Sequence, residues 1–435
     1  MHDLQGFKGF KYAKIDLSRS MTILVGRNGA GKSNLVEAVE LLAELANGRP
    51  LHEITEIGRG SGNSFEIRGG LSGCMRKESE KEYYPFVLSF SHIDLEAQSK
   101  IQYSIKVDFI PPRILEEQLW RDETEYFNAK IQKGSQDILE VRCETFSDSG
   151  SKLVKPLVAN CSVLSRYGSI VTALYGESVN EKGLNEASKI AIRVKKHLKS
   201  AYVFDFYPRL MRQYESISAY ILNKQGSNLS AVLYSIKQND DKAKESERLL
   251  PRILAILKQL PEEPYVDFEF FTTPTNHVLF ALKREDGTFI DASLLSDGTL
   301  RALAILVALE TVPEGSRVII EELDNGIHPS RAKLLIDTVW ECSHRRQLNA
   351  LVTTHNPATL NNLSKEQLDC VEVCHYNAEE KADQITPLSK IPFSDILLQQ
   401  GQLGDLMTKN VLESYLMPHF EEDQQKKAES WLELF

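Results

Sequence analysis

The chain is 435 residues long, 42% hydrophobic and 26% charged, which is the composition of an ordinary globular protein with room for two or three structural units. A formal net charge of -10 and a pI of about 5.6 exclude a surface that coats nucleic acid without preference, leaving only a local basic groove for such contact. With no charged-then-apolar leader, no apolar run near the roughly 18 residues of a membrane span, and scattered cysteines lacking any C-x-x-C pair, the expectation is a cytoplasmic protein without membrane contact.

Residues 4–17 place Phe7, Phe10, Tyr12, Ile15 and Leu17 in loose alternation and predict a strand pair. The apolar run 21–25 predicts a buried strand. It leads into Gly26-Arg27-Asn28-Gly29-Ala30-Gly31-Lys32-Ser33-Asn34 and then a helical pattern over 35–42. This is the spacing G-x-x-x-x-G-K-[ST] between strand and helix, the context of a phosphate-binding loop. Gly26, Gly29 and Gly31 let consecutive N–H groups turn inward toward phosphate oxygens, and the helix adds its positive dipole end. Lys32 supplies a mobile cation for the terminal phosphates, and the Ser33 hydroxyl is placed for Mg2+.

Glycine and serine clustered over 58–73 mark a loop, and strand-like runs at 86–90, 101–107, 126–131 and 138–143 predict an antiparallel sheet. Over 184–257 the period becomes helical, so this whole stretch reads as an insertion before the next nucleotide motif. Lys189, Arg193, Lys196 and Lys199 share a helical face that suits either phosphate or plain solvation. Sheet signals return at 266–271, 278–282 and 288–290, the last two joined by a turn at Glu285-Asp286-Gly287. A helix opens at Ser296-Asp297-Gly298-Thr299 and buries Leu300, Leu303, Ala304, Leu306 and Val307; its N-terminus is a second candidate anion site. Apolar runs at 317–322 and 350–355 end in Glu321-Glu322 and in His355. Buried parallel strands that deliver polar residues at their C-terminal ends build ligand crevices in α/β folds, so three strand ends are expected to converge on one nucleotide. Cys370, Glu372 and Cys374 alternate like a strand, which makes structural cysteine the better reading than a metal site. Helical patterns fill 394–412, and Trp431, Leu432, Leu434 and Phe435 form an apolar end expected to dock on a neighbouring subunit or effector, the alternative being its own head.

Four motifs in order, GRNGAGKSN at 26–34, LLSDGTLR at 294–301, IIEELDNGIHP at 319–329 and TTHNP at 353–357, resemble the ABC-type ATPase heads of the structural-maintenance, Rad50 and RecF class. Within it they resemble the compact bacterial ATPases of anti-phage defence and overcoming-lysogenization-defect type, those of Septu systems above all, and residues 220–236 resemble the helical insertion of those ATPases. The resemblance implies an α/β fold: an ABC/SMC-type P-loop ATPase head, a mixed β-sheet with flanking helices, carrying an inserted β and helical lid region and a short helical tail. Its parts would be an N-terminal lobe with the P-loop (residues 1–110), the lid subdomain (111–262), a C-terminal lobe (263–390) and the tail (391–435). It assigns ATP to Gly26, Asn28, Gly29, Ala30, Gly31, Lys32, Ser33 and Asn34, and Mg2+ to Ser33 and Glu321. Glu322 would polarise the attacking water and His355 would contact the γ-phosphate. Ser296 and Gly298 would form the signature that closes over a nucleotide held by a second subunit, and Asp324 and Asn325 the loop that touches that subunit. Two positions depart from the family: Glu321 stands where aspartate is usual, and no Q-loop glutamine stands out, Gln102 being set like an exposed strand residue. His328 matches the pattern, yet Pro329 beside it suits a helix start.

The function implied is an ATPase gating a separate effector nuclease of HNH type through ATP-sandwich dimers, a head-to-tail homodimer or higher oligomer, with nucleic acid reached through the complex. The 80 residues after His355 contain no Asp-x-Asp, so the nuclease chemistry is expected from a separate partner. The competing reading is a RecF- or Rad50-like repair ATPase that binds DNA without a nuclease partner, although no sustained heptad run occurs. A transporter motor ranks last, because far more chain separates Ser33 from Ser296 than such a motor needs.

Overall fold

The structure, a computed structural model, describes residues 1–55, 67–70, 72–79, 82–94, 98–147, 152–173, 180–244, 247–260 and 265–416. The chain divides into two compact units, the first made of Met1–Ser18, Gly31–Ala201 and Glu380–Ile385, the second of Arg19–Ala30, Tyr202–Glu379 and the chain from Thr386 onward. The division falls inside the glycine-rich loop: Gly26 to Ala30 belong to the second unit, and Gly31 to the first.

In the first unit an antiparallel sheet runs Lys152–Val158, Ile138–Glu144, Thr124–Ile131, Pro112–Arg121, Ser99–Phe109, Phe86–Asp94, His2–Phe7, Phe10–Ile15. The alternating runs read from the sequence are its strands. Ser99–Phe109 buries Ile101, Tyr103, Ile105 and Val107 and exposes Gln102, the period of a sheet covered on one face. The helices Lys32–Asn47, Val163–Thr172 and Glu181–Lys199 pack on one another, and on the last of these Lys189, Arg193, Lys196 and Lys199 are exposed.

One buried carboxylate ties sheet to helix here. Glu117 is fully buried and accepts hydrogen bonds from the Ser162 hydroxyl (2.8 Å), the Tyr103 hydroxyl (3.0 Å) and the backbone N–H groups of Val163 (2.7 Å) and Leu164 (2.8 Å). Burial pushes its carboxyl above the ordinary value, while the four donors pull in the other direction. It satisfies the orphan N–H groups of the Val163–Thr172 helix from a different element.

In the second unit a parallel layer runs Val371–Asn377, Met21–Val25, Asn349–Thr354, Arg317–Ile320, with Ala201–Phe204 beside the last. Every residue of Met21–Val25 and Arg317–Ile320 is buried, as strands covered on both faces require. The Asp297–Thr311 helix is buried from Gly298 to Glu310. Tyr265–Thr272, His277–Arg284 and Phe289–Asp291 form a small antiparallel sheet, packed against the Leu229–Asp240 and Leu249–Leu257 helices. The helical signal of 184–257 thus breaks at the four-residue strand Ala201–Phe204, too short to show a period.

The short helices Ser394–Gln400, Leu403–Thr408 and Val411–Tyr415 return to this unit, burying Leu397, Leu403, Leu406 and Leu412 in its core. Gly404 lies so close to Pro357 that a Cβ would stand 2.1 Å from its carbonyl oxygen, and Asn361 and Asp405 exchange hydrogen bonds of 3.0 and 3.3 Å. Residues 58–66 and 71 of the expected loop, and Trp431, Leu432, Leu434 and Phe435, lie outside the described residues. No disulfide joins cysteines among the described residues, and no helix among them is long and apolar enough to cross a membrane.

Replacing Glu117 with Ala orphans two N–H groups and two hydroxyls at once. The expected cost is about 3 kcal/mol in chemical denaturation; a loss below about 1 kcal/mol would contradict the capping role assigned to it.

Candidate nucleotide site

Parallel register fixes where the site residues emerge. Ile320 lies opposite Val352, and Thr354 opposite Val25, so Glu321, His355 and Gly26 leave the same edge of the second unit's sheet. The three strand ends lie side by side at that edge.

Glu322 is the most constrained residue at that edge. Its backbone is left-handed, with φ +47°, a conformation that costs a non-glycine residue about 1 kcal/mol or more. Four hydrogen bonds hold it there: its N–H donates to Thr353 Oγ1 (2.9 Å), its carbonyl accepts from Arg301 (3.0 Å) and from the Asn325 N–H (2.9 Å), and its carboxylate Oε2 accepts from Asn325 Nδ2 (2.8 Å). Just beyond, the buried Asp324 carboxylate accepts from the Thr354 hydroxyl at 2.7 Å and from the Thr359 hydroxyl, tying the turn after the acidic pair to the segment after His355. Glu321 is half-buried, and its N–H donates to the Phe204 carbonyl (2.8 Å). His355 is exposed at its strand end, followed by Asn356, whose side chain caps the Pro357–Leu360 helix.

Ser296 caps the Asp297–Thr311 helix, accepting from the Thr299 N–H at 3.1 Å. Gly298 packs on the turn after the acidic pair: a Cβ there would come within 3.2 Å of the Gly326 carbonyl. Asp297 puts a carboxylate on a helix start proposed to meet an anion, and Arg212 offsets it with an ion pair of 2.6 Å while also donating to the Leu295 carbonyl (2.7 Å).

In the glycine-rich loop, Gly26 has φ +150°, and a Cβ would stand 2.3 Å from the Cys374 carbonyl, so glycine is required by close approach as well as by curl. Arg27, Asn28 and Gly29 are exposed and Ala30 is buried. In the first unit, Gly31 (φ +96°) caps the Lys32–Asn47 helix, whose first turn holds Lys32, Ser33 and Asn34, all partly exposed, and no acidic residue. That leaves its positive end open to phosphate. Asn34 Nδ2 lies 3.5 Å from Asp383 Oδ2, a carboxyl that burial pushes above its ordinary value.

Several residues of this geometry were not singled out from the sequence. Thr353 and Thr354 pass as the polar end of a strand. Arg301 had a signal, being the one charge inside the apolar stretch 300–309. Asp205 and Tyr207 extend past the Ala201–Phe204 strand and interact electrostatically with Glu322; burial raises the Asp205 carboxyl, and the Asp205 charge raises the Tyr207 hydroxyl.

A family model described as an AAA domain matches residues 3–260, and a second AAA-domain model, whose description names an AbiEii toxin of a Type IV TA system, matches 175–361. The chain belongs to this AAA-domain family of P-loop ATPases, and its matched relatives are of RecF type. It is 42% identical over 57 residues to the DNA replication and repair protein RecF of Picosynechococcus sp., covering 13% of this chain and 15% of that protein. The RecF of Synechocystis sp. is 42% identical over 80 residues, 18% of each chain, so the matches span less than a fifth of these relatives. Among solved structures, an SMC head bound to the C-winged helix domain of ScpA aligns over 88% of this chain and 96% of that one, at 12% identity and a TM-score of 0.49.

His328 caps the Pro329–Arg345 helix, its ring nitrogen accepting from the Ser330 N–H. His328→Ala is therefore expected to lower stability by about 1 kcal/mol, with His328→Asn restoring most of it; denaturant melts that leave the alanine variant unchanged would contradict capping.

Proposed function

We propose that the chain binds ATP with Mg2+ and hydrolyses it, as the nucleotide-sensing subunit of a bacterial anti-phage defence complex that gates a separate nuclease. The observation that carries the catalytic part is the left-handed Glu322, held by four hydrogen bonds at the end of a buried parallel strand. The Ser33 hydroxyl and the Glu321 carboxylate are hard oxygen donors of the kind Mg2+ takes, and both residues are partly exposed. When bound, the ion neutralises charge on the phosphates. Lys32 and the N–H groups of the loop hold the phosphate chain, Glu322 orients a water and takes its proton, and His355 donates to the γ-phosphate. Ser296 and Gly298 of a second copy close the site, so a complete site needs two chains head to tail. Arg212, by pairing with Asp297, removes the charge that would repel the incoming phosphate.

The defence setting is supported by the order of the four motifs, by residues 220–236, and by a matching family model whose description names a toxin of a Type IV TA system. In this reading the chain plays the part of the Septu ATPase PtuA, and the partner is an HNH nuclease that brings the complex to nucleic acid. The RecF relatives favour a second reading, a repair ATPase acting on DNA without that partner. The surrounding genes separate the two: an HNH nuclease beside the gene that co-purifies with the chain supports the first, whereas neighbouring replication genes and no co-purifying nuclease support the second.

Lys32→Ala is expected to abolish nucleotide binding, and Glu322→Gln to retain ATP and accumulate the closed dimer by sedimentation. Ser296→Arg is expected to leave monomer binding intact and block closure. Wild-type hydrolysis by Glu322→Gln would overturn the catalytic assignment, and normal turnover by Ser296→Arg would overturn the two-chain site.

A further inference from the structure

We infer that Arg301 is a positioning residue that sets the geometry of Glu322 and couples it to the start of the signature helix. The inference rests on the hydrolysis reading above and adds a residue and a regulatory link to it.

Arg301 sits five residues after Ser296, on the Asp297–Thr311 helix, and is only 6% exposed. Its guanidinium donates to the Glu322 carbonyl at 3.0 Å and to the Phe206 carbonyl at 2.5 Å. Burial disfavours its charge, and the carboxylates of Asp205, Glu322 and Asp324 favour it. An arginine does not shed its proton in a protein, so the cation stays and must be compensated. Stability alone does not call for it. The rest of the stretch 300–309 is apolar, and an apolar residue in place of a buried cation and its partners is often neutral or stabilising.

What the arginine supplies is a two-handed clamp. One hand holds the carbonyl of a residue in left-handed conformation, the other the extended stretch 205–207 beside the acidic pair. Thr353 fixes the N–H of Glu322 and Asn325 its carboxylate, while the carbonyl accepts both from the Asn325 N–H within the turn (2.9 Å) and from Arg301, its contact to the signature helix. A shift of the signature helix as it meets a nucleotide on another copy moves Arg301, and through that carbonyl the carboxylate that must point at water. Misplacement of a catalytic group by about 1 Å is enough to cost a hundredfold in rate.

The test uses the full chain with Arg301→Met and Arg301→Lys. The lysine variant keeps the charge but offers no planar fork, so it serves if the methionine variant fails to fold. Single-turnover hydrolysis and fluorescent-ATP binding are read together, with circular dichroism as the folding control. Expected is a kcat lower by about a hundredfold at nucleotide affinity within about twofold of wild type. In a Glu322→Gln background the same Arg301 substitutions are expected to add no further loss, which a general packing defect would not reproduce. Folded Arg301 variants that turn over at the wild-type rate, or losses that multiply with Glu322→Gln, would overturn the inference while leaving the ATPase reading intact. A wild-type chain that binds ATP without hydrolysing it would overturn that reading and the positioning role together.

Discussion

The hydrogen bond from the Glu322 N–H to Thr353 Oγ1 decides how the second unit ends its sheet. Arg317–Ile320 and Asn349–Thr354 are parallel, buried neighbours whose backbone groups pair until Ile320 and Val352. Beyond that point Glu322 would lose its partner, and a buried unmatched N–H is costly. The Thr353 hydroxyl accepts it and lets the chain turn into the left-handed conformation that presents the carboxylate. Thr354 does the same for the next step, donating to Asp324, which also receives Thr359 and so fixes the segment after His355. Two adjacent threonines thereby tie the turn that carries the acidic pair to the segment that carries the histidine.

Charge around these strand ends and helix starts is handled by pairing. Arg301 is surrounded by carboxylates, Asp297 is offset by Arg212, and the first turn of the Lys32–Asn47 helix carries no acid at all. The same economy appears in the first unit at Glu117, a buried carboxylate whose donors come from a strand, a serine and a helix start. In both places a group expensive to bury is retained together with the full set of partners that make burial tolerable.

Much of this was legible in the sequence because the signals were local. G-x-x-x-x-G-K-[ST] fixes a loop within nine residues, apolar runs ending in Glu321-Glu322 and His355 fix strand ends, and Ser296 four positions before Leu300 fixes a helix start. Period-two alternation likewise foretold the antiparallel sheet, down to an exposed Gln102. The remainder depends on contacts between distant segments. Nothing near Thr353 says that it receives Glu322, and Asp205 and Tyr207 acquire meaning only through a four-residue strand that periodicity cannot detect. His328 reads as a family motif residue, and its cap on the Pro329–Arg345 helix shows the local use of the ring.

The central claim is that the pinned Glu322 is the carboxylate that activates water, and Thr353→Val tests it with the smallest change of shape. Valine fills the same volume but accepts no hydrogen bond, so the left-handed turn loses its anchor while Lys32, Ser33 and the loop are untouched. The rate of γ-phosphate release in a single turnover is predicted to fall by one to two orders of magnitude at unchanged ATP affinity. Release at the wild-type rate from a folded Thr353→Val chain would contradict the account.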